Sequence, residues 1–301
     1  MTKQEQELEN NPKAMPTIDM SKVANLDAFA REDSEAATAL KKAVGTNARR
    51  TAKKKFNFSE PIQFRLPSKG MHYQDAQDPD LRQGLVSLTP MSLADEEILT
   101  NKAYLKNGST FRVLYDTCMC NNYPAKRILS YDATYMMYIL RSITYGDSYK
   151  FKVTCEDCEK QFEHEMLISD IDWKEMEDGT PDERVIELPR SHFTVTMPLA
   201  RLETEENLEK LKKLKANDPL ATEAVLTLVN RTTSIKDPDG NEIDPADWIA
   251  FYHEIPGLDK ATINDAFKDA VNQPEITMVC PHCGNVITMP VPITADFFRL
   301  G

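Results

Sequence analysis

The chain lacks several features that would commit it to a particular class of function. No apolar run approaches 18 residues, so we expect no membrane span. Only ten glycines occur, and none forms the Gly-x-Gly-x-x-Gly fingerprint of a nucleotide-binding loop. Histidine is also scarce, with five in the 301 residues, and no Ser, His and Asp residues are organised into a nucleophile motif. Because no enzyme class finds specific support, we expect a protein without catalysis.

A positive net charge is missing as well. The formal net charge is −12, which argues against a body that coats nucleic acid and suits a protein that meets protein partners. The charge is uneven, however, because residues 39–55 carry seven basic residues and no acidic one. This basic stretch is either a solvated tail or an electrostatic tether to an acidic neighbour, protein or nucleic acid.

Aromatic residues are nearly absent from the first 57 positions. Phe29 is the only aromatic residue before Phe56. Such a polar segment cannot bury enough apolar surface to offset the entropy that ordering costs. We therefore expect residues 1–57 to be a flexible, disordered polar and basic arm, and order to begin near Phe56.

Four cysteines are present in two Cys-x-x-Cys pairs, and they are the most informative feature of the chain. Cys155 and Cys158 form the first pair, and Cys280 and Cys283 form the second. Each pair lies in a turn between two short β-like runs, which is typical of a zinc knuckle. Nothing resembling a signal peptide opens the chain, so we expect a reducing compartment, where paired cysteines more often bind metal or do redox work. The sequence therefore predicts one structural Zn²⁺ held by these four residues.

The separation of the two pairs leaves alternatives open. It far exceeds the roughly 15–20 residues of a compact zinc ribbon. We favour one ribbon interrupted by a long insertion, over two pairs that serve different ions. A disulfide within each pair is a further alternative. A thioredoxin-like redox motif is less consistent with the pattern, since such a motif opens a helix within a βαβ unit.

Periodicity along the rest of the chain predicts an α+β fold. We expect an α+β body with three helices at 58–148, the first half of the zinc ribbon at 149–169, and the second half with the C-terminal tail at 274–301. Between the two ribbon halves, residues 170–273 are predicted to form an insertion that begins with strands and is mostly helical. The fold class is therefore a helical N-terminal part and a four-cysteine zinc ribbon split by this insertion.

Other candidate residues have ordinary structural explanations. Asp95 is expected to follow an N-cap at Ser92, because acidic side chains favour the first turn of a helix. Cys118 and Cys120 lie two apart on a predicted helix, so their thiols point to different faces. His164 lies near the first cysteine pair, but four thiolates already complete a site. The rings of Phe297 and Phe298 pack either on the protein's own body or in a partner's groove.

Several strings, taken together and in order, resemble the T-even-type baseplate protein family of contractile-tailed bacteriophages. That family includes baseplate hub subunits and hub assembly factors. The resemblance covers roughly residues 58–170 and 274–301, and it does not extend to the arm or the insertion. The strings are Leu66-Pro-Ser-Lys-Gly-Met71, Leu88-Thr-Pro-Met-Ser-Leu-Ala-Asp-Glu-Glu-Ile-Leu-Thr-Asn101, Val153-Thr-Cys-Glu-Asp-Cys158, Cys280-Pro-His-Cys-Gly284 and Asp296-Phe-Phe298.

The resemblance implies a structural or assembly component of the tail baseplate, with other phage tail and baseplate proteins as partners. It implies no catalytic residue, and it supports the four cysteines as metal ligands. Location would be the virion tail, or the host cytoplasm during assembly. Self-association within a symmetric assembly stays open, as does a transient assembly chaperone absent from the virion. The alternative of another class is a nucleic-acid-binding zinc-ribbon protein, which would have to bind through the basic arm because Glu156, Asp157 and Glu159 make the first knuckle acidic.

Overall fold

The computed structural model describes residues 60–270, 274–293 and 297–298. It shows helices and small antiparallel sheets, which confirms the predicted α+β class. The predicted arm at 1–57 lies outside the described residues. The predicted domain boundaries stay a prediction. Buried side chains from every part of the described chain join one hydrophobic cluster.

The first part of the fold is a small sheet covered by short helices. Strand β1 (Ile62–Arg65) pairs antiparallel with β2 (Leu85–Leu88). Met119, the residue after helix α4 (Thr110–Cys118), forms an isolated bridge with Leu88 at the end of β2. Helix α2 (Leu93–Thr100) begins directly after Ser92, the predicted N-cap, whose backbone N–H donates to Asp95 Oδ2 over 2.8 Å. The elements are β1 (Ile62–Arg65), α1 (Pro79–Arg82), β2 (Leu85–Leu88), α2 (Leu93–Thr100), α3 (Lys102–Lys106), α4 (Thr110–Cys118) and α5 (Ser130–Tyr145).

A buried carboxylate joins the turn after β1 to the first turn of α5. Asp132 is fully buried and accepts hydrogen bonds from the Ser68 hydroxyl at 2.5 Å and the Tyr73 hydroxyl at 2.6 Å. The backbone N–H of Ser68 donates a third hydrogen bond over 3.0 Å. Burial raises the pKa of Asp132, and these three donors oppose that shift. The network fixes residues 67–73 against the helix that leads into the cysteine-bearing hairpin.

Two β-hairpins carry the cysteine pairs at their turns. The first consists of β3 (Ser148–Thr154) and β4 (Gln161–Leu167), and the second consists of β8 (Glu275–Val279) and β9 (Val286–Pro290). Both are antiparallel, and both were expected at these positions. In β3 the inward-facing residues Tyr149, Phe151 and Val153 are buried, which gives the alternation of a strand with one face on the core.

The segment between the hairpins combines a three-stranded sheet with four helices of the described chain. The strand order is β5 (Glu183–Glu187), β6 (Thr194–Pro198) and β7 (Ser234–Lys236), so β7 adds a third strand that periodicity did not predict. Periodicity predicts a helix at 262–272, whereas the last α-helix of the described residues begins at Gly257, directly after its N-cap Pro256, and ends at Asp265. The elements are β5 (Glu183–Glu187), β6 (Thr194–Pro198), α6 (Leu202–Leu214), α7 (Glu223–Arg231), β7 (Ser234–Lys236), α8 (Trp248–Glu254) and α9 (Gly257–Asp265).

The segment after β9 returns to the body and is anchored by aromatic rings. Phe297 is fully buried, and its ring centroid lies 5.0 Å from those of Tyr138 and Tyr149 in edge-to-face contacts. The Tyr138 hydroxyl donates to the Val291 carbonyl over 3.1 Å, and the Tyr149 hydroxyl donates to the Pro292 carbonyl over 2.8 Å. The ring of Phe297 therefore packs on the protein's own body, the first of the two expected alternatives.

No helix among the described residues combines the length and the apolar character that crossing a membrane would require.

Candidate metal centre

The first cysteine pair lies in the turn between β3 and β4. The backbone N–H of Cys155 donates to the Lys160 carbonyl over 3.0 Å, and the N–H of Glu159 donates to the Cys155 carbonyl over 2.9 Å. Glu159 adopts a left-handed conformation with φ of 57°. These bonds close a tight loop, and the loop presents the thiols of Cys155 and Cys158 on one side.

The second cysteine pair repeats this geometry in the turn between β8 and β9. The backbone N–H of Cys280 donates to the Asn285 carbonyl over 2.8 Å, and the N–H of Gly284 donates to the Cys280 carbonyl over 3.0 Å. Gly284, with φ of 78°, takes the left-handed position that Glu159 occupies in the first loop. The two loops thus share hydrogen bonds and backbone conformation.

The four predicted thiols converge on one point. Their sulfur atoms all lie within 4.8 Å of one another. Two of these separations cross between the hairpins, at 3.7 Å from Cys155 to Cys283 and 3.8 Å from Cys158 to Cys280. A tetrahedral ion about 2.3 Å from each sulfur requires sulfur–sulfur edges of about 3.8 Å. The group could therefore hold one metal ion, and its four soft sulfur donors suit zinc or iron.

Burial divides each pair in the same way. Cys155 and Cys280 are buried, whereas Cys158 is half-buried and Cys283 is exposed. None of the four is joined in a disulfide. The centre therefore lies at the edge of the core, with one face against the protein and the other toward solvent.

The pKa values of two of the thiols are shifted in opposite directions. Hydrogen bonding from the Cys158 backbone lowers the pKa of Cys155 to about 7. At Cys283 a backbone hydrogen bond from Asn285 favours the thiolate, but desolvation and the three neighbouring thiols outweigh it and raise the pKa to about 12. Negative charge on one sulfur opposes negative charge on the next, and a shared cation removes that opposition.

The other candidate residues lie outside this group. The His164 ring packs against Phe151, with ring centroids 5.6 Å apart, and His282 is exposed in the second loop. Cys118 is buried at the end of α4, as expected of a core residue, and Cys120 is exposed. The aromatic anchor formed by Tyr138, Tyr149 and Phe297 was not predicted as a unit. Its only sequence signal was the pair of adjacent phenylalanines near the end of the chain.

A sequence model described as T4 bacteriophage base plate protein matches residues 62–299 of the chain. The match covers well over half of the 301 residues and includes both cysteine pairs. The chain belongs to this baseplate family. The match also includes residues 170–273, the predicted insertion, where the sequence strings did not show the resemblance to the family. Neither the curated proteins nor the solved structures include a significant match.

Membership in the T4-type baseplate family supports a structural role in the phage baseplate. It also indicates a location in the virion tail and other phage tail proteins as partners. A structural family of this kind suggests a protein that is not an enzyme.

Proposed function

We propose that the chain is a non-catalytic structural or assembly component of the baseplate hub, clamped by a single Zn²⁺ ion. The observation that supports this most is the convergence of four sulfurs from two distant hairpins, combined with membership in the baseplate family. Cys155, Cys158, Cys280 and Cys283 would hold the ion. The ion would supply structural stability, since four protein ligands leave no open position for a substrate.

The position of the centre explains why a scaffold would use a metal there. The cysteines that meet across the two hairpins are far apart along the chain: 128 residues separate Cys155 from Cys283, and 122 separate Cys158 from Cys280. Each hairpin is two-stranded, and such hairpins are marginally stable alone in water. A structural zinc ion contributes roughly 10–16 kcal/mol of apparent binding free energy in zinc-finger peptides. One ion would therefore stabilise two weak hairpins and the long segment between them at once.

The acidic first loop argues against the alternative of nucleic-acid binding by the ribbon. Glu156, Asp157 and Glu159 surround the first cysteine pair, and carboxylates oppose contact with phosphate. The second loop carries no Lys or Arg between Cys280 and Cys283. The faces of the ribbon therefore suit protein neighbours.

Two measurements test the proposal. Elemental analysis of the purified full-length chain should find one zinc per chain. Iron in place of zinc, two ions per chain, or no ion in a well-folded sample would contradict the proposed centre.

Quantitative mass spectrometry of purified virions tests the place in the baseplate. The chain should be present at a fixed ratio to other tail proteins, in the small copy number expected of a hub. Its absence from finished particles, with presence in tail-assembly intermediates, would instead identify a transient assembly chaperone.

A further inference from the structure

The three-stranded sheet β5-β6-β7 has one closed edge and one open edge. At β7 the chain returns beside the strand, where the Ile243 N–H donates to the Ile235 carbonyl over 2.8 Å and Glu242 forms a bridge with Lys236. At the opposite edge, β5 is bonded to β6 alone. A further strand could therefore join this sheet beside β5 but not beside β7.

The open edge of β5 presents backbone groups in a fixed register. The Leu188 N–H donates to the Phe193 carbonyl over 2.8 Å, which sets the pairing of β5 with β6. Hydrogen-bonded positions alternate along an antiparallel pair, so the N–H and carbonyl groups of Glu183, Val185 and Glu187 point away from β6. Within the described part of the chain, none of these groups has a backbone hydrogen-bond partner.

Strand β5 is held in place from the core side of the sheet. The guanidinium of Arg184 binds both carboxylate oxygens of Asp269, at 2.7 and 2.8 Å, and it also donates to the Ala266 carbonyl. The same guanidinium lies over the ring of Phe267, with its central carbon 5.2 Å from the ring centroid. Because the strand is already ordered, a partner that pairs with it would not have to offset the entropy of ordering it.

A groove of about 640 Å³ beside β5 has an acidic lining. Arg184 is the basic residue of that lining, and its charge is already paired with Asp269. Three carboxylates of the lining form no ion pair within the described residues, namely those of Glu177, Glu183 and Glu187. The groove therefore carries uncompensated negative charge, which favours a cationic occupant.

The outward-facing side chains of β5 determine which strands fit beside it. Glu183, Val185 and Glu187 are all exposed, and Val185 is 71% exposed. If a second copy of β5 paired antiparallel in full overlap, Glu183 of one copy would lie opposite Glu187 of the other, and like charges directly opposite are destabilising. The net charge of −12 adds repulsion between copies. A strand with basic residues at these two positions would instead form cross-strand ion pairs at both.

We propose that β5 is a docking edge for an extended strand of another tail protein. This strand has Lys or Arg opposite both Glu183 and Glu187 and an apolar side chain opposite Val185. Main-chain hydrogen bonds supply the attachment, and the alternate side chains supply the specificity. Neither the cysteine cluster nor a place in the hub enters this contact, so failure of the tests below would leave the proposed function standing.

Binding of a synthetic peptide to the full-length chain tests the backbone contact. The probe is Thr-Lys-Thr-Val-Thr-Lys-Thr with blocked ends, which places both lysines and the valine on one face of a strand. The NMR amide signals of Glu183, Val185 and Glu187 should shift when it binds. A methyl group on the valine nitrogen should weaken binding about tenfold or more, because it removes a donor that faces β5.

The matched control peptide carries the methyl group on the nitrogen of the threonine after valine, which points away from β5. Its affinity should stay within about twofold of the unmethylated probe. Absence of shifts at the three edge amides, or equal weakening by both methyl groups, would overturn the proposal.

Charge reversal in the chain tests the selection of a basic partner. Glu183→Lys with Glu187→Lys should weaken binding of the probe about tenfold or more and should favour a peptide with Glu in place of both lysines. The control Glu97→Lys with Glu163→Lys makes the same change in net charge at exposed acids elsewhere, and it should keep the preference for lysine. Equal loss in both variants would show unspecific attraction to an acidic protein and would refute docking at β5.

A proline at the centre of β5 separates a partner strand from a second copy. Val185→Pro removes an N–H that points to the open edge and keeps the bonds to β6, so it should abolish peptide binding while the chain stays folded. Sedimentation of the chain without peptide should show the same species before and after this change. A dimer that Val185→Pro converts into monomers would overturn the proposal in favour of pairing between copies.

Discussion

The two hairpins of the candidate metal centre have the same backbone conformation in their turns, but the side chains on their outer faces differ. The outer face of β3 and β4 is charged, with Lys150 bonded to Glu165 across the strands at 3.5 Å. The outer face of β8 and β9 pairs Thr277 with Thr288 and Val279 with Val286. The two loops therefore have the same geometry although the exposed side chains of their strands differ. The loop geometry depends on the cysteines and on the residue with positive φ rather than on the exposed strand residues.

Their inner faces differ as well. Three residues of β3 are buried in the core, whereas Met278 is the single buried residue of β8. The second hairpin is held instead by the segment that follows it, through Phe297 and the carbonyls of Val291 and Pro292. The first hairpin is thus attached to the core by the buried side chains of β3. The second is attached by the cysteine cluster and by the aromatic anchor.

Breaking the shared centre should have the largest effect of all, because each hairpin contributes two of its four cysteines. Cys155→Ser and Cys283→Ser each remove one of four ligands, so we expect both to lose the ion and to lower the unfolding temperature strongly. The reason is that structural zinc is worth as much as the roughly 5–15 kcal/mol that stabilises a whole domain. Elemental analysis and thermal unfolding measure this.

The matched control for these variants is Cys120→Ser, which removes a thiol outside the cluster and should keep the ion. Unchanged unfolding of Cys155→Ser or Cys283→Ser would show that the thiols hold no structural cation.

Removing the aromatic anchor should affect the second hairpin selectively. Phe297→Ala empties a site between Tyr138 and Tyr149, and a buried Phe→Ala change costs about 3–5 kcal/mol. Chemical denaturation should show the loss, and hydrogen exchange should quicken in β8 and β9 more than in β3 and β4. Ile293→Ala, at a side chain 47% exposed, is the control. Equal acceleration in both hairpins would contradict the distinct attachment.

A lysine should destabilise β8 strongly at an inner position and hardly at all at an outer position. Met278 is 4% exposed and Val279 is 61% exposed. Met278→Lys should destabilise the protein by more than about 3 kcal/mol, because it buries an unpaired charge. Val279→Lys should change the free energy of unfolding by less than about 0.5 kcal/mol. Denaturant titration distinguishes them, and a large loss from Val279→Lys would mean that the outer face is covered.

The smallest expected effect concerns the equivalent left-handed residues. Gly284→Ala should destabilise the second loop by about 1 kcal/mol, because a side chain disfavours positive φ even though its Cβ would meet no atom within 4 Å. Glu159→Gly should stabilise the first loop by up to about 1 kcal/mol, for the same reason in reverse. Thermal unfolding of the metal-loaded chain measures both. A loss of stability in Glu159→Gly would show that its side chain makes a contact that outweighs the strain.

Several local features could be predicted from the sequence alone, because residues close together in the chain determine their conformation. The two Cys-x-x-Cys turns and their flanking strands follow from local spacing, and the capping box of Ser92 and Asp95 follows from the positions of two polar residues. The start of α9 was misplaced, since Pro-Gly commonly marks a turn but here opens a helix.

Only the tertiary structure decided which distant groups meet. The spacing of the cysteines favoured one shared site but left two separate sites open, and the path of the chain between residues 158 and 280 decided that the four sulfurs converge. The burial of Phe297 between Tyr138 and Tyr149, the Asp132 network and the third strand β7 likewise require elements far apart in sequence to pack together. Local preferences are set by a few neighbouring residues, whereas these contacts depend on the combined packing of the core.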